Sequence, residues 1–340
     1  MRTLVVTLIL LAAGAFAGCV GNPGGEPVDT AGGDAGVTGQ AGTEAAADNA
    51  SDDSAEDTQE GDVPDDPDDP DNTSSSNPGN GRNNSRPETP NAVFVGWADP
   101  NTATIRPGIQ MTSSAGQCTS NFAFTDDRGN AYLGFAAHCV GALEPGTSID
   151  IGGVTKGTLA YSSWYTMGYQ PDASATSGGV CSAETDATIC TYNDFAVVKL
   201  AASDAIKTSP AMRHFGGPSA LYDSSAVQSA DKVLSYGNSG VRFETEEAAW
   251  HEGYVFQPSN EWSTLIYTAT PGIPGDSGSG VLMGDGQALG ILVTVTISPY
   301  TASNGVTHLD KALEYAREKG GINLSLASWE LLNPGLLPGI

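Results

Sequence analysis

Between residues 20 and 90 the chain carries almost no large apolar side chain; stretches such as GDVPDDPDDPDNTSSSNPGNG consist of Asp, Gly, Ser, Asn and Pro. Such a segment cannot bury enough surface to offset the entropy lost on ordering. Residues 19–90 are therefore expected to form a disordered acidic linker, and any hydrophobic core has to come from residues 91–340. Residues 1–90 hold 17 acids and three arginines, a net −14 of the chain's −26, so about half of the acidity says little about a ligand. As a coil of roughly 70 residues the linker would span on the order of 45 Å, the reach of a stalk. No cluster of basic residues suggests a nucleic-acid partner, and none is expected.

Residues 1–18, MRTLVVTLILLAAGAFAG, set Arg2 before an apolar core and finish in small residues, the layout of an export signal. The run is too short for a convincing membrane span. FAGC, ending at Cys19, resembles the lipobox of bacterial lipoproteins, with Phe16 where Leu is usual. That resemblance implies cleavage before Cys19, lipid on that residue and a chain anchored in the cell envelope; an unmodified Cys19 would leave a secreted protein.

From residue 91 the texture changes to short apolar and β-branched runs separated by Gly, Asn, Asp and Ser, which are strand signals. NFAFTDDRGNAYLGFAAHC reads as a strand, a turn at DDRGN and a second strand; DFAVVKL, VLSYGNS, STLIYTATPG and ALGILVTVTI repeat the pattern. About 250 residues of this kind argue for an all-β architecture, a sandwich or one or two barrels. One helix is expected, over about residues 308–319 in THLDKALEYAREKGG, with Leu309, Leu313, Tyr315 and Ala316 near one face and Gly320 and Gly321 as a stop.

Beyond Cys19 there are four cysteines, Cys118, Cys139, Cys181 and Cys190, and an even number in an exported chain suggests disulfides. Three pairings are open. Cys181 and Cys190 bracket the short loop CSAETDATIC; their pairing would leave Cys118 and Cys139 to join the strands of the first hairpin. No CxxC or histidine cluster accompanies them, so no metal is expected.

PGIPGDSGSG, at residues 271–280, sets an acid and a hydroxyl among glycines directly before an apolar run. Taken alone it is a surface turn or a nucleophile loop, in which glycines let backbone N–H groups approach a carbonyl and Ser277 sits on a tight bend. A serine nucleophile needs a base. Of His138, His214, His251 and His308, only His138 has a telling context, GFAAHCV at the end of an apolar strand; the rest read as ordinary core or surface histidines. A carboxylate would then have to orient the ring. Asp194 in TYNDFAVVKL opens an apolar strand, and burial there without a partner would be costly, although a strand-capping turn residue would also fit.

AAHC, NDFAVVKL and GDSGSG, in the order His, Asp, Ser, resemble the trypsin/chymotrypsin-like serine peptidases over nearly all of residues 103–320. IRPGIQM…CTSNFAFTD and YTATPGIPGDSGS are closest to the bacterial, streptogrisin-like branch. The resemblance implies two antiparallel β-barrels, at about residues 103–205 and 206–306, followed by the C-terminal helix, with the cleft between the barrels. It implies a serine endopeptidase acting on peptides through an acyl-enzyme, with no cofactor. His138, Asp194 and Ser277 would be catalytic, the N–H groups of Gly275 and Ser277 would form an oxyanion hole, and Asp276 would be the buried acid shaping the loop.

One departure from the family is that no IVGG-type segment follows a basic residue, so no new amino terminus can pair with Asp276. An internal arginine is expected instead: Arg242 first, with Arg106, Arg128 and Arg213 as rivals. Such an enzyme would be active while tethered. No acid occurs in STLIYTATPGIPG to select a basic side chain, and the family's pocket wall would fall on Val293, Thr294 and Val295. A pocket narrowed by Val295 implies small or medium apolar residues at P1. The competing functions are a non-catalytic binding or adhesion domain on the same barrels, and an esterase using the same serine.

Overall fold

The computed structural model describes residues 96–172, 179–241, 249–295 and 300–331; the export signal, Cys19, the acidic linker and Arg242 lie outside the described residues. Within it, sixteen strands form in chain order. The first nine are β1 (Gln110–Ser113), β2 (Gly116–Thr119), β3 (Ala123–Asp126), β4 (Ala131–Phe135), β5 (Ser148–Ile151), β6 (Thr155–Ser162), β7 (Tyr169–Pro171), β8 (Gly179–Cys181) and β9 (Ala196–Lys199). The remainder are β10 (Lys232–Tyr236), β11 (Trp250–Asn260), β12 (Ser263–Thr268), β13 (Gly280–Met283), β14 (Ala288–Val295), β15 (Asn304–His308) and β16 (Leu324–Leu326). The helices are α1 (Ser163–Met167), α2 (Ala187–Tyr192), α3 (Ala202–Ala205) and α4 (Leu309–Glu318).

The uninterrupted apolar runs become strands buried on both faces: every residue of β4 and of β13 is buried. In β6, TKGTLAYS, Gly157, Leu159 and Tyr161 point inward and Lys156 and Thr158 outward, the period of two that a half-exposed strand requires. The hairpin turn DDRGN is held by Asp126, whose carboxylate accepts the N–H groups of Arg128 and Asn130 and the Tyr132 hydroxyl.

Two antiparallel β units result. Strands β10, β11, β12, β15, β14 and β13 close into a barrel, β13 pairing back onto β10. The other unit is an eight-stranded sheet in the order β16, β3, β4, β9, β6, β5, β1, β2. Six strand spacings separate β3 from β2 in that order, which on a flat sheet would be about 29 Å. Yet only residues 120–122 connect them, a reach of about 14 Å. The sheet must therefore curl round on itself, a barrel in shape though not closed by a ladder. An all-β body of two antiparallel units with a C-terminal helix is what the resemblance implied.

One apolar cluster fills the curled sheet and continues between the units, taking in Phe122, Phe124, Phe195, Leu282 and Ile291, while a second, with Val233, Val281 and Leu292, fills the closed barrel. On one face of α4, Leu309, Ala312, Tyr315 and Ala316 are buried. The chain then returns to the first unit, where β16 pairs with β3.

The segment between β6 and β9 was not legible as structure. Its first turn, α1, is capped by the Ser162 hydroxyl, which accepts the Tyr165 N–H, and is stopped at Gly168 in the left-handed region. β7 pairs with β8, and α2 is capped by Asp186, whose carboxylate accepts the N–H groups of Thr188 and Ile189. A disulfide joins Cys181 to Cys190 across this segment, and a second joins Cys118 to Cys139. The latter ties β2 to the short 3-10 turn Ala137–Cys139 after β4, rather than tying together the two strands of the β3–β4 hairpin.

Candidate active site

β4 ends in a single 3-10 turn, Ala137–Cys139, that carries His138 at its centre, and the Cys118–Cys139 bond anchors that turn to β2. The backbone N–H of His138 donates to Asp194 Oδ1 at 2.8 Å, and its Nδ1 lies 2.6 Å from Oδ2. A carboxylate can only accept, so the proton of a neutral ring sits on Nδ1 and Nε2 is left as the basic nitrogen. The two side chains are 12% and 7% exposed, so the pair is screened little by water. Burial alone would lower the pKa of the imidazole; the charge and hydrogen bond of Asp194 outweigh it and leave it raised.

Asp194 is held from the start of the segment between β6 and β9. Ser163, the first residue of α1, donates its hydroxyl to the Asn193 carbonyl at 2.8 Å and accepts the Phe195 N–H at 3.0 Å, bracketing Asp194 on both sides. Next to it, the Trp164 ring lies 6.1 Å from that of His138 and stacks on Tyr169 at 3.9 Å. Neither Ser163 nor this aromatic pair was readable as functional, because Ser and Trp in the short stretch YSSWYTMGY carry no periodic signal.

Ser277 comes from the loop between β12 and β13. Its carbonyl accepts the Thr119 N–H at 2.8 Å, and the Gly278 N–H donates to Leu292 at 2.7 Å. Gly278 has φ +91°, and a Cβ there would run into the Thr119 carbonyl and lie 3.0 Å from the Ala136 nitrogen. Only glycine lets the Ser277 loop press this closely on β2 and on the approach to His138. His138 Nε2 lies 4.0 Å from Cys118 Sγ, and Cys118 precedes the residue that holds Ser277. Among the described residues the Ser277 Oγ makes no hydrogen bond, and the N–H groups of Gly275 and Ser277 donate to no protein acceptor.

Asp276 is fully buried. Its carboxylate accepts the N–H groups of Ser239 and Ile273, each at 3.0 Å, and lies 3.7 Å from His251 Nε2. His251 is thus a neighbour of this acid, and nothing in its local context, WHEG, marks it out. Of the arginines considered, Arg106 donates to the Pro100 carbonyl and Arg128 is exposed in the β3–β4 turn.

Val293, Thr294 and Val295 end β14. Val293 is buried in the cluster between the units, the Thr294 hydroxyl accepts the Gly305 N–H, and Val295 is half-buried. Buried Asn304 straps this wall to the loop before Ser277: its Oδ1 accepts the Gly272 N–H, and its Nδ2 donates to the carbonyls of Gly272 and Thr294. Cys118, His138 and Cys139 cluster as metal ligands might, but the two sulfurs are bonded to each other and unavailable.

No protein-family model matches the chain, and no curated protein sequence matches it. Among solved structures it is similar to protease A of Thermobifida fusca, at 15% identity over 66% of this chain and 99% of that one, with a TM-score of 0.40. The protease of Nocardiopsis matches at 16% identity over 65% and 98% of the two chains, TM-score 0.39. The HtrA-type protease AlgW matches at 13% identity over 64% and 65%, TM-score 0.39. All three are proteases; at these identities and scores, the chemistry assigned to this chain rests on its own geometry.

Proposed function

We propose that this chain is a serine endopeptidase that cleaves peptide bonds through an acyl-enzyme. The observation that carries the reading is the His138–Asp194 pair, with Nδ1 2.6 Å from the carboxylate and Nε2 free of it, on a turn against which the Ser277 loop is packed. His138 takes the hydroxyl proton of Ser277 as that oxygen attacks the peptide carbonyl, and returns it to the leaving amine. The carbonyl oxygen gathers negative charge meanwhile, and the N–H groups of Gly275 and Ser277 are the donors for it. Asp194 stabilises the imidazolium without itself taking the proton. Water then repeats the cycle on the acyl group.

No acid lies in STLIYTATPGIPG, residues 263–275, or at Val293–Val295, and the Asn304 amide is spent on Gly272 and Thr294, so a small or medium apolar P1 side chain suits the pocket. A peptide-library cleavage profile tests this; dominance of Arg and Lys at P1 would overturn it. Two disulfides suit an oxidising, extracytoplasmic compartment, and the FAGC segment supports an anchor on Cys19.

The deciding experiment is fluorophosphonate labelling of the full chain in isolated membranes, with the modified residue mapped. Label is expected on Ser277 in the membrane fraction, lost with Ser277→Ala and moved to the soluble fraction by Cys19→Ala. Peptide hydrolysis by Ser277→Ala should fall about 10⁴-fold or more. Full activity in that variant would refute the peptidase assignment.

A further inference from the structure

We infer that Ser239 is a positioning residue that fixes the oxyanion donor of Gly275, an inference that rests on the peptidase reading and goes beyond it. Ser239 lies just after β10 and is buried. Its hydroxyl donates to the Pro274 carbonyl at 2.5 Å and accepts the Val241 N–H at 3.2 Å, so both the proton and a lone pair are committed. In a planar trans peptide the C=O and the following N–H point to opposite sides. Holding the Pro274 carbonyl toward Ser239 therefore turns the Gly275 N–H the other way, and among the described residues that N–H meets no protein acceptor.

A second set of bonds holds the next peptide. The Gly275 carbonyl accepts the Thr119 hydroxyl at 2.8 Å and the Gln117 amide at 3.2 Å, both from β2 of the other β unit. Gln117 is fixed in turn by Gly240, whose N–H donates to its Oε1 at 2.7 Å, and Thr119 accepts the Asn238 N–H at 2.9 Å. Gly275 has φ +97°, and a Cβ there would come within 2.7 Å of the Ser239 hydroxyl and 2.9 Å of Gln117 Oε1. The residue has to be glycine, and glycine alone would not hold its peptides in one orientation. Ser239 on one side and Gln117 with Thr119 on the other supply that restraint. If the Pro274–Gly275 peptide rotated, a carbonyl would replace a donor and face the developing oxyanion with like charge.

The side chains of Ser239 and Gln117 act on turnover through the Gly275 N–H. Ser239→Ala removes the hydroxyl but keeps the backbone N–H that donates to Asp276. The experiment measures kcat and KM on a peptide anilide, with inhibition by a peptide trifluoromethyl ketone, whose adduct carries an oxyanion. Ser239→Ala is expected to lower kcat about 10- to 100-fold and to weaken the ketone by a similar factor, with KM within about twofold. Ser239→Thr, which retains the hydroxyl, should recover most of the loss. Wild-type kcat in Ser239→Ala, or a loss carried by KM, would overturn the inference. Should Ser239→Ala not fold, Gln117→Met is read by the same criteria. A wild-type protein that neither turns over peptide nor labels would instead defeat the peptidase reading, and so separates the two.

Discussion

The two β units place a histidine in opposite electrical settings. In the curled sheet, His138 faces the Asp194 carboxylate and its pKa is raised. In the closed barrel, His308 is 1% exposed and is partnered by neutral oxygens, the Thr264 hydroxyl at 2.7 Å and the Glu261 carbonyl at 2.9 Å; burial is the largest influence on it and its pKa is lowered. The same side chain is thereby poised to collect a proton in one unit and to refuse it in the other. The difference lies in whether the second nitrogen's neighbour can carry charge, a matter of a few ångströms that a local sequence window does not contain.

Replacing Asp194 with Asn should break the comparison most severely. The amide can present its NH₂ to Nδ1 and favour the wrong tautomer, so kcat/KM should fall about 10³- to 10⁴-fold. The acid limb of the wild-type pH–rate profile should lie above the ordinary imidazole value of about 6.5, and with the carboxylate gone, burial should carry it downward. A limb that stays in place in Asp194→Asn would mean that Asp194 does not set the charge of His138.

A smaller effect, on stability, sharpens the same contrast. The lowered pKa of His308 means that, between its folded and unfolded values, the unfolded chain binds more protons; its contribution falls as pH drops below about 6.5. His138, raised in the folded state, contributes with the opposite sign: its part is fully present below the unfolded value and is lost as pH rises through the folded one. Tm measured between pH 5 and 8 should therefore decline less on the acid side in His308→Gln, which keeps a hydrogen-bonding side chain without an ionisable ring. An unchanged acid slope would show that His308 is not the group being titrated.

Much of the framework was legible from runs of apolar residues. DFAVVKL, VLSYG, STLIYT and ALGILVTV became β9, β10, β12 and β14 because fully buried strands need no alternation. β11 was obscured by its own composition, since WHEGYVFQPSN contains Gly253 and Pro258; the ladder tolerates the proline where the register shifts between Pro258 and Asn260. The elements α1, β7, β8 and α2, three to six residues each, are too short for a period of two or of 3.6 to show.

At the site, an acid, an imidazole and a hydroxyl stand out in a sequence because few other roles bring them into glycine-rich or apolar surroundings. Gln117, Thr119, Ser163, Ser239 and Asn304 do not, because the same residue types fill ordinary turns and strand edges. Their roles exist only once separate segments meet, about thirty residues apart for Ser163, Ser239 and Asn304 and more than a hundred for Gln117 and Thr119 against Gly275. His251 beside Asp276 belongs to the same class, a pairing across β11 and the Ser277 loop where an arginine had been expected.

Strand β16 has a mechanical consequence. After α4 the polypeptide crosses to the curled sheet, lies along β3, and then bonds Trp329 to Pro218 and Glu330 to Gly217 in the stretch that links the units. A clamshell motion would have to peel this lace away before the jaws could part. In the peptidase proposed, entry of a substrate would then be left to side chains and loop tips.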